Sequence, residues 1–280
     1  MIIFETIQEL RQYLLLNRTE GKRIGFVPTM GCLHQGHCAL IKRSADENEV
    51  TVLSIFLNPT QFSCREDYAK YPRCREQDIK AAEEAGATVV FAPDENELYP
   101  LGFQTYVDVR DLAKPLCGEP RPGHFIGMAT IVLKLFNIVQ PDQAYFGQKD
   151  YQQVCIVKQM VRDLNLEINV VSCPTIREES GLACSSRNTR LSSEEKARAA
   201  AIYRLLQEAA DAIKQGVAES SILYEKIRKG LEDGGMEVEY VELVDATTLL
   251  PVEKIIGETL IAVAVFIGTT RLIDNILVQK

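Results

Sequence analysis

Apolar residues recur at helix and strand spacings that alternate as far as about residue 176, after which the order changes. Thr6 and Glu9 have the spacing of a capping box, and Ile7, Leu10 and Leu14 then fall on one face, so the chain is expected to open with an amphipathic helix. Arg23 to Val27 predicts a short strand. A helix from about Gly36 to Asn48 follows, leading into Val50 to Leu57, a β-rich run of buried-strand character. Gln77 to Ala85 has the spacing of a helix and Thr88 to Phe91 that of a strand. Past a Pro/Gly-rich loop, KPLCGEPRPGHF, the residues Met128, Ile131, Leu135 and Val139 mark a buried helical face. Ala144 to Gly147 then predicts a strand, Val154, Val157, Val161 and Leu164 a helix, and Ile168 to Ser172 another strand. Strands alternating with helices in this way imply a Rossmann-like parallel sheet with covering helices.

Beyond PTIREESGLACSSRN the texture changes. Ser192 and Glu195 form a second capping box at the head of an alanine-rich helix with Ile202, Leu205, Ala209 and Ile213 in register, ending near Gly216. A further helix is expected over Ser220 to Glu232, stopped by Gly234 and Gly235. Three strands close the chain, Val238 to Val244, Leu260 to Ile267 and Arg271 to Val278, the last two joined as a hairpin through Gly268, Thr269 and Thr270. Helices followed by strands make a smaller α+β unit. The expected division is therefore residues 1–176 and 177–280.

Composition narrows the class. With 280 residues, 46% hydrophobic and 25% charged, the chain can bury a full core and matches an ordinary globular protein. Its 39 acidic against 31 basic residues give a net charge of -8, which opposes binding to a phosphate backbone, so nucleic acid is not an expected partner. Met-Ile-Ile-Phe-Glu lacks a basic leader, and no uncharged stretch is long enough to span a bilayer, so neither export nor a membrane is expected. The eight cysteines, at 32, 38, 64, 74, 117, 155, 173 and 184, contain no Cys-x-x-Cys pair and read as reduced thiols of a cytoplasmic protein. Cys32 and Cys38 flank two histidines without matching a zinc spacing, and no metal site is expected.

Chemistry concentrates at the strand-to-helix junctions. In PTMGCLHQGHCAL, residues 28–40, Gly31 and Gly36 have the spacing of a P-loop, but His37-Cys38 stands where that motif requires Lys-Ser/Thr. Glycines and the amides of a helix start can still receive an anion, with His34 and His37 supplying donors; a glycine turn with two surface histidines would look the same. FLNPTQF, residues 56–62, ends a strand with Asn58 and Gln61, whose amides suit hydroxyls and a carboxylate, although Asn-Pro can equally just begin a turn. FGQKDYQQ, residues 146–153, offers Lys149 to phosphate, Asp150 to a helix start or to hydroxyls, and Gln153 one turn on from Lys149, all of which a structural helix start would also use. CSSRN, residues 184–188, has hydroxyls and a guanidinium suited to phosphate oxygens. His124, in RPGHF, carries less. In an open parallel sheet, ligands bind beyond the carboxyl ends of the strands, where three of these clusters fall, so a nucleotide site is expected there.

The order and spacing of PTMGCLHQGH, FLNPTQF, YPR at 71–73, LCGEPRPGHFIGMATIVLKLFNIVQPDQAYFGQKDYQQ and REESGLACSSRN closely resemble the pantoate–β-alanine ligase family, from about residue 23 to 191 and more weakly through TRLIDNI. Its histidine motif relates that family to nucleotidyltransferases and class I aminoacyl-tRNA synthetases. The resemblance implies an ATP-dependent ligase that converts pantoate to pantoyl adenylate with release of pyrophosphate, then lets β-alanine displace AMP. It implies an ATP loop of Met30, Gly31, Cys32, Leu33, His34, Gln35, Gly36 and His37, with His34 and His37 on the phosphates and His37 as proton donor. It places Gln61 on pantoate and by β-alanine, and Gln153 on pantoate. Gly147, Gln148, Lys149 and Asp150 form a second ATP segment, with Lys149 on phosphate and Asp150 on ribose. Ile176 offers backbone to adenine, and Cys184, Ser185, Ser186 and Arg187 close over the nucleotide. Asn58 and Tyr71 fit the substrate pocket. Mg2+ would accompany ATP, and a homodimer is implied.

Gln148, Ser180, Cys184 and Arg190 depart from the family's commonest residues, glutamate, aspartate, methionine and an aromatic respectively, without replacing a reacting group. A nucleotidyltransferase acting on a phosphorylated metabolite and a non-catalytic nucleotide-binding protein are the rival readings. The amides at Gln61 and Gln153 favour a hydroxy acid over the first, and the retained histidines and Lys149 count against the second. An aminoacyl-tRNA synthetase is disfavoured by the acidic balance and the small C-terminal region.

Overall fold

The alternation of apolar spacings corresponds to an alternation of strands and helices in the computed structural model, which describes residues 1–62 and 65–279. Cys64 lies outside the described residues. The elements run β1 (Ile2–Phe4), α1 (Ile7–Thr19), β2 (Ile24–Thr29), α2 (Gln35–Glu47), β3 (Val50–Ile55), α3 (Arg65–Lys70), α4 (Arg75–Glu84), β4 (Val89–Phe91), α5 (Glu95–Leu98), α6 (His124–Val139), β5 (Gln143–Gly147), α7 (Tyr151–Asp163) and β6 (Asn169–Cys173). There follow α8 (Ser193–Lys214), α9 (Ser220–Asp233), β7 (Glu237–Asp245), β8 (Thr259–Ile267) and β9 (Thr270–Val278). The chain divides into two compact units, Met1–Gln148 with Gln153–Pro174, and Lys149–Gln152 with Thr175–Lys280.

In the first unit a six-stranded sheet has the order β1-β4-β3-β2-β5-β6, and every recorded pairing is parallel. Alternate residues of a strand face opposite sides. Val27, Leu53, Val90 and Tyr145 therefore pack with Leu40 and Ile41 of α2 and Ala82 of α4. Phe26 turns the other way, its ring 6.3 Å from that of Phe136 on α6. Each such fully buried side chain contributes about 1.5–3 kcal/mol. The edge strand β1 escaped the sequence reading because three residues paired to one neighbour carry no periodicity of their own. The expected strand over Val50 to Leu57 stops at Ile55, because the chain turns at Asn58 into a 3-10 turn, Pro59–Gln61.

The topology locates a crevice. Strand order runs outward from β2 to β3 on one side and from β2 to β5 on the other, so the switch point lies between β2 and β5. β2 pairs with β3 along its whole length but with β5 only at Gly25 and Phe26. Pro28, which has no N–H to give, sits past the point where pairing to β5 has ended.

In the second unit α8 and α9 cover the antiparallel sheet β7-β8-β9, with Ile202, Leu205, Ala209 and Ile213 of α8, Leu223 and Ile227 of α9, and Ile261, Val263 and Val265 of β8 in one core. Ser192 and Glu195 form the expected capping box. The short segment Lys149–Gln152 belongs to this unit, a membership that no change in composition along the chain marks.

Candidate active site

The histidine loop leaves β2 at Thr29, whose hydroxyl donates to Ser54 O (2.7 Å) and accepts from Gly31 N (3.2 Å). Gly31 has φ +84°, a conformation that favours glycine, and a Cβ there would make a tight contact, 3.0 Å from Asp78 Oδ2. Cys32 follows at φ 51°, a left-handed conformation that costs a non-glycine residue about 1–2 kcal/mol. What holds it is Asp78 of α4. The carboxylate, 2% exposed, accepts from Cys32 N at 2.8 Å and from Leu33 N at 2.6 Å.

His34 is the N-cap of α2, its Nδ1 accepting from Gly36 N at 3.1 Å, while His37 Nδ1 accepts from His34 N at 3.3 Å. A ring nitrogen that accepts carries no proton, so each neutral imidazole is fixed as the tautomer protonated at Nε2. The rings stack with centroids 4.0 Å apart. The loop thus places two imidazoles beside the first turn of a 13-residue helix, whose amides and dipole favour an anion. The helix α2 begins one residue earlier than the expected Gly36, with His34 as its N-cap and His37 in its first turn.

A second cluster sits at the end of β3. Asn58 caps the Pro59–Gln61 turn and is buried, its Oδ1 accepting from Tyr99 OH (2.8 Å) and Thr60 Oγ1 (2.9 Å). Burial pushes the Tyr99 phenol up to about 12, so it remains a donor. Asn58 Nδ2 donates to Gln61 Oε1 at 2.9 Å and to Gly127 O at 3.1 Å. Gln61 Nε2 reaches Met30 Sδ at 2.8 Å, which joins the amide cluster to the start of the histidine loop. His124, at the head of α6, is buried, with Nδ1 2.8 Å from Gln61 O. Gly127 lets α6 come close, since a Cβ there would stand 2.3 Å from Thr60 O. Tyr71 is buried with its ring 5.8 Å from that of Phe62. Gln153 is half-buried in the first turn of α7.

The second unit carries a separate group. Gln148–Asp150 form a 3-10 turn after Gly147. Asn275 Nδ2 donates to Lys149 O (2.9 Å), and Lys149 Nζ lies 3.9 Å from Asp150 Oδ1. Lys149 lines a narrow cleft with Ser185, Arg187 and Arg271. The segment 176–188 is pinned at several points. Cys184 N donates to Ile176 O (2.9 Å), Ser185 Oγ accepts from Arg187 N (3.3 Å), and Asn188 Nδ2 donates to Glu178 Oε1 (2.8 Å). Arg177 makes a bidentate pair with buried Asp274 at 2.6 and 2.9 Å and stacks over the Tyr203 ring. Ser180 Oγ accepts from Leu182 N (3.4 Å), so its hydroxyl supports the turn. Ser186 opens the 3-10 turn Ser186–Arg190. Cys184 is buried, which raises its thiol and keeps it neutral.

The description of the family model that matches residues 2–277 is pantoate-beta-alanine ligase. The chain belongs to that family. Pantothenate synthetases from Caldicellulosiruptor saccharolyticus and Acetivibrio thermocellus are each 49% identical over the whole of both chains. A crystal structure of pantothenate synthetase from Thermus thermophilus aligns with a TM-score of 0.93 at 43% identity over 99% of each chain. A pantoate-beta-alanine ligase from Francisella tularensis, complexed with beta-gamma ATP and beta-alanine, aligns at 0.83 with 37% identity over 99% of this chain and 97% of its own. The family's reaction is the ATP-dependent condensation of pantoate with β-alanine, a carbon–nitrogen ligation, and this chain is a ligase of that kind.

Within the first unit the fold unites the histidine loop with Gln61 and Asn58, as their place at the ends of adjacent parallel strands requires. Sequence reasoning missed Asp78. Its one signal was position: an aspartate one turn ahead of Ala82 falls on the apolar face of a predicted helix, where a carboxylate must find donors. The roles of Arg177 and Asp274, 97 residues apart, left no signal.

Proposed function

We propose that the histidine loop and the amide cluster carry out the adenylation half of the ligation, on the strength of one observation above all: two imidazoles tethered through Nδ1 at the start of α2, next to a Met30–Gln61 contact. The pantoate carboxylate attacks the α-phosphorus of ATP in line, and charge grows on the departing pyrophosphate. His34 and His37 present Nε2–H to the phosphates, His37 nearer the reacting group, while Met30, Gly31, Cys32, Leu33, Gln35 and Gly36 form the loop around them. Donors already held in place need no reorganisation as charge develops, which is where such sites gain most of their rate. Gln61 and Gln153 hold pantoate. Gln61 is also next to the β-alanine position, where the amine attacks the acyl carbon of the adenylate and expels AMP. No covalent enzyme intermediate is required, because the adenylate is itself activated.

Lys149 serves phosphate and Asp150 ribose, and Gly147 and Gln148, which precede them in the chain, contribute backbone. Ile176 offers its backbone to adenine, and Cys184, Ser185, Ser186 and Arg187 serve the nucleotide. Among the described residues no group of three or more His, Cys, Asp or Glu is arranged to hold a metal. Mg2+ enters as part of the MgATP substrate, kept by its phosphates and waters. No helix among the described residues is long and apolar enough to cross a membrane. The inferred setting is the cytoplasm and the inferred assembly a homodimer, which light scattering would test as twice the monomer mass.

The deciding assay is AMP formation that requires ATP, pantoate and β-alanine together. His37→Ala should lower pantoate-dependent pyrophosphate exchange by about 100-fold or more, and Gln61→Ala should raise the pantoate KM. Normal exchange in the first variant, or unchanged pantoate dependence in the second, overturns the assignment.

A further inference from the structure

The loop that carries the histidines meets α4 a second time, through sulfur. Cys32 Sγ lies 3.0 Å from Cys74 Sγ, the two residues being 42 apart in sequence. Cys74 is the N-cap residue of α4, with no side-chain cap bond, and Asp78, one turn further along the same helix, holds the Cys32 and Leu33 amides. Both thiols are half-buried, neither sealed in the core nor fully open. Two sulfurs at this separation need to close by only about 1 Å to reach the covalent distance of about 2.05 Å.

We propose that Cys32 and Cys74 are a dithiol modification site, oxidised to a disulfide by low-molecular-weight disulfides, and that the crosslinked protein adenylates pantoate more slowly. Cys74 loses its proton and attacks one sulfur of the external disulfide RSSR, giving a Cys74–S–SR mixed disulfide and one RS–, which takes up that proton. Cys32 then loses its proton and attacks the Cys74 sulfur, expelling the second RS–, which is protonated in turn. The balance is two protein thiols and one RSSR giving one protein disulfide and two RSH.

The order of attack follows from the surroundings. Burial, the hydrogen bond to Cys74, the charge of Cys74 and that of Asp78 together push the Cys32 thiol up to about 12, so Cys32 is not the first nucleophile. Once Cys74 is in the mixed disulfide it no longer carries a charge that opposes ionisation of Cys32. In reducing cytoplasm such a bond is transient, the usual setting for a redox-responsive pair. Its consequence is positional. Cys32 is two residues from His34, and Asp78 already restrains the amides on either side of the Cys32 side chain, so the movement is taken up in the loop that aims the imidazoles. Misplacement by about 1 Å can lower a rate by about 100-fold.

The rate effect rests on the proposed role of the loop; the crosslink itself does not. The full-length protein is incubated with glutathione disulfide, remaining thiols are alkylated, and peptides are mapped by mass, with pyrophosphate exchange measured before and after dithiothreitol. Expected are a linked pair of peptides carrying Cys32 and Cys74, a fall in exchange of about tenfold or more on the scale of such misplacements, and full recovery on reduction. Cys74→Ser should keep its basal exchange, since serine suits an N-cap, and should lose the sensitivity. Linkage of other cysteines, no linkage at all, or undiminished sensitivity in Cys74→Ser overturns the proposal, as does a quantitative Cys32–Cys74 crosslink with unchanged exchange. A reduced wild-type protein without exchange counts against the function assigned to the loop, and the peptide map still decides the crosslink.

Discussion

Replacing Asp78 by alanine removes a side chain that touches no substrate in the proposed reaction, yet it should disable the histidine loop. The carboxylate accepts from two consecutive amides at 2.8 and 2.6 Å, across the left-handed Cys32. Hydrogen bonds to a charged group contribute about 1.5–3 kcal/mol each. The loop is half-exposed, and water can replace part of what is lost, so the net weakening of the loop's arrangement is about 2–3 kcal/mol. If that arrangement must be restored before the phosphates are held, adenylation falls by about 30- to 160-fold. Asp78→Asn keeps one acceptor oxygen and should lose about tenfold, half the free energy of the alanine variant. The assay is pantoate-dependent pyrophosphate exchange over a range of ATP concentrations, with thermal unfolding in parallel to confirm a folded protein. Exchange within threefold of wild type in a folded Asp78→Ala protein would refute the idea that this carboxylate sets the loop.

Gly127→Ala forces a Cβ to within 2.3 Å of Thr60 O, so α6 or the Pro59–Gln61 turn has to move; a stability loss of about 1–3 kcal/mol with a raised pantoate KM is expected, and a wild-type KM would show that the turn is not coupled to α6. In the second unit Asp245 accepts from Thr247 N, Thr248 N and Thr248 Oγ1, and the Thr248 amide above all draws its carboxyl below the ordinary range. A carboxyl lowered by folding stabilises above its unfolded pKa of about 3.9 and loses that contribution as pH falls through the folded value. Asp245→Asn should accordingly be less stable than wild type at pH 7, the difference shrinking below about pH 4; a difference in urea midpoint that stays constant down to pH 3 would contradict this origin.

The sequence by itself determined the layered fold and the address of the chemistry. Apolar spacing is a local property, so it marked β2 through β6, the capping box at Ser192 and Glu195, and the closing hairpin to within a residue or two. Parallel strands then required the glycine–histidine loop and the Asn58–Gln61 turn to emerge on one edge, where the structure joins them through Gln61 and Met30. The motifs, in their order and spacing, carried the resemblance to the family. Tertiary structure alone decided how the site is held. Asp78 reaches the loop from 45 residues away, Cys74 lies against Cys32, His124 turns out to support Gln61, and Arg177 finds Asp274. Such contacts leave no periodicity, because they pair one residue of an element with one residue of another. Their partners are selected by the close approach that Gly31 and Gly127 permit and by the need of buried amides and carboxylates for one another, conditions that exist only once the elements have packed.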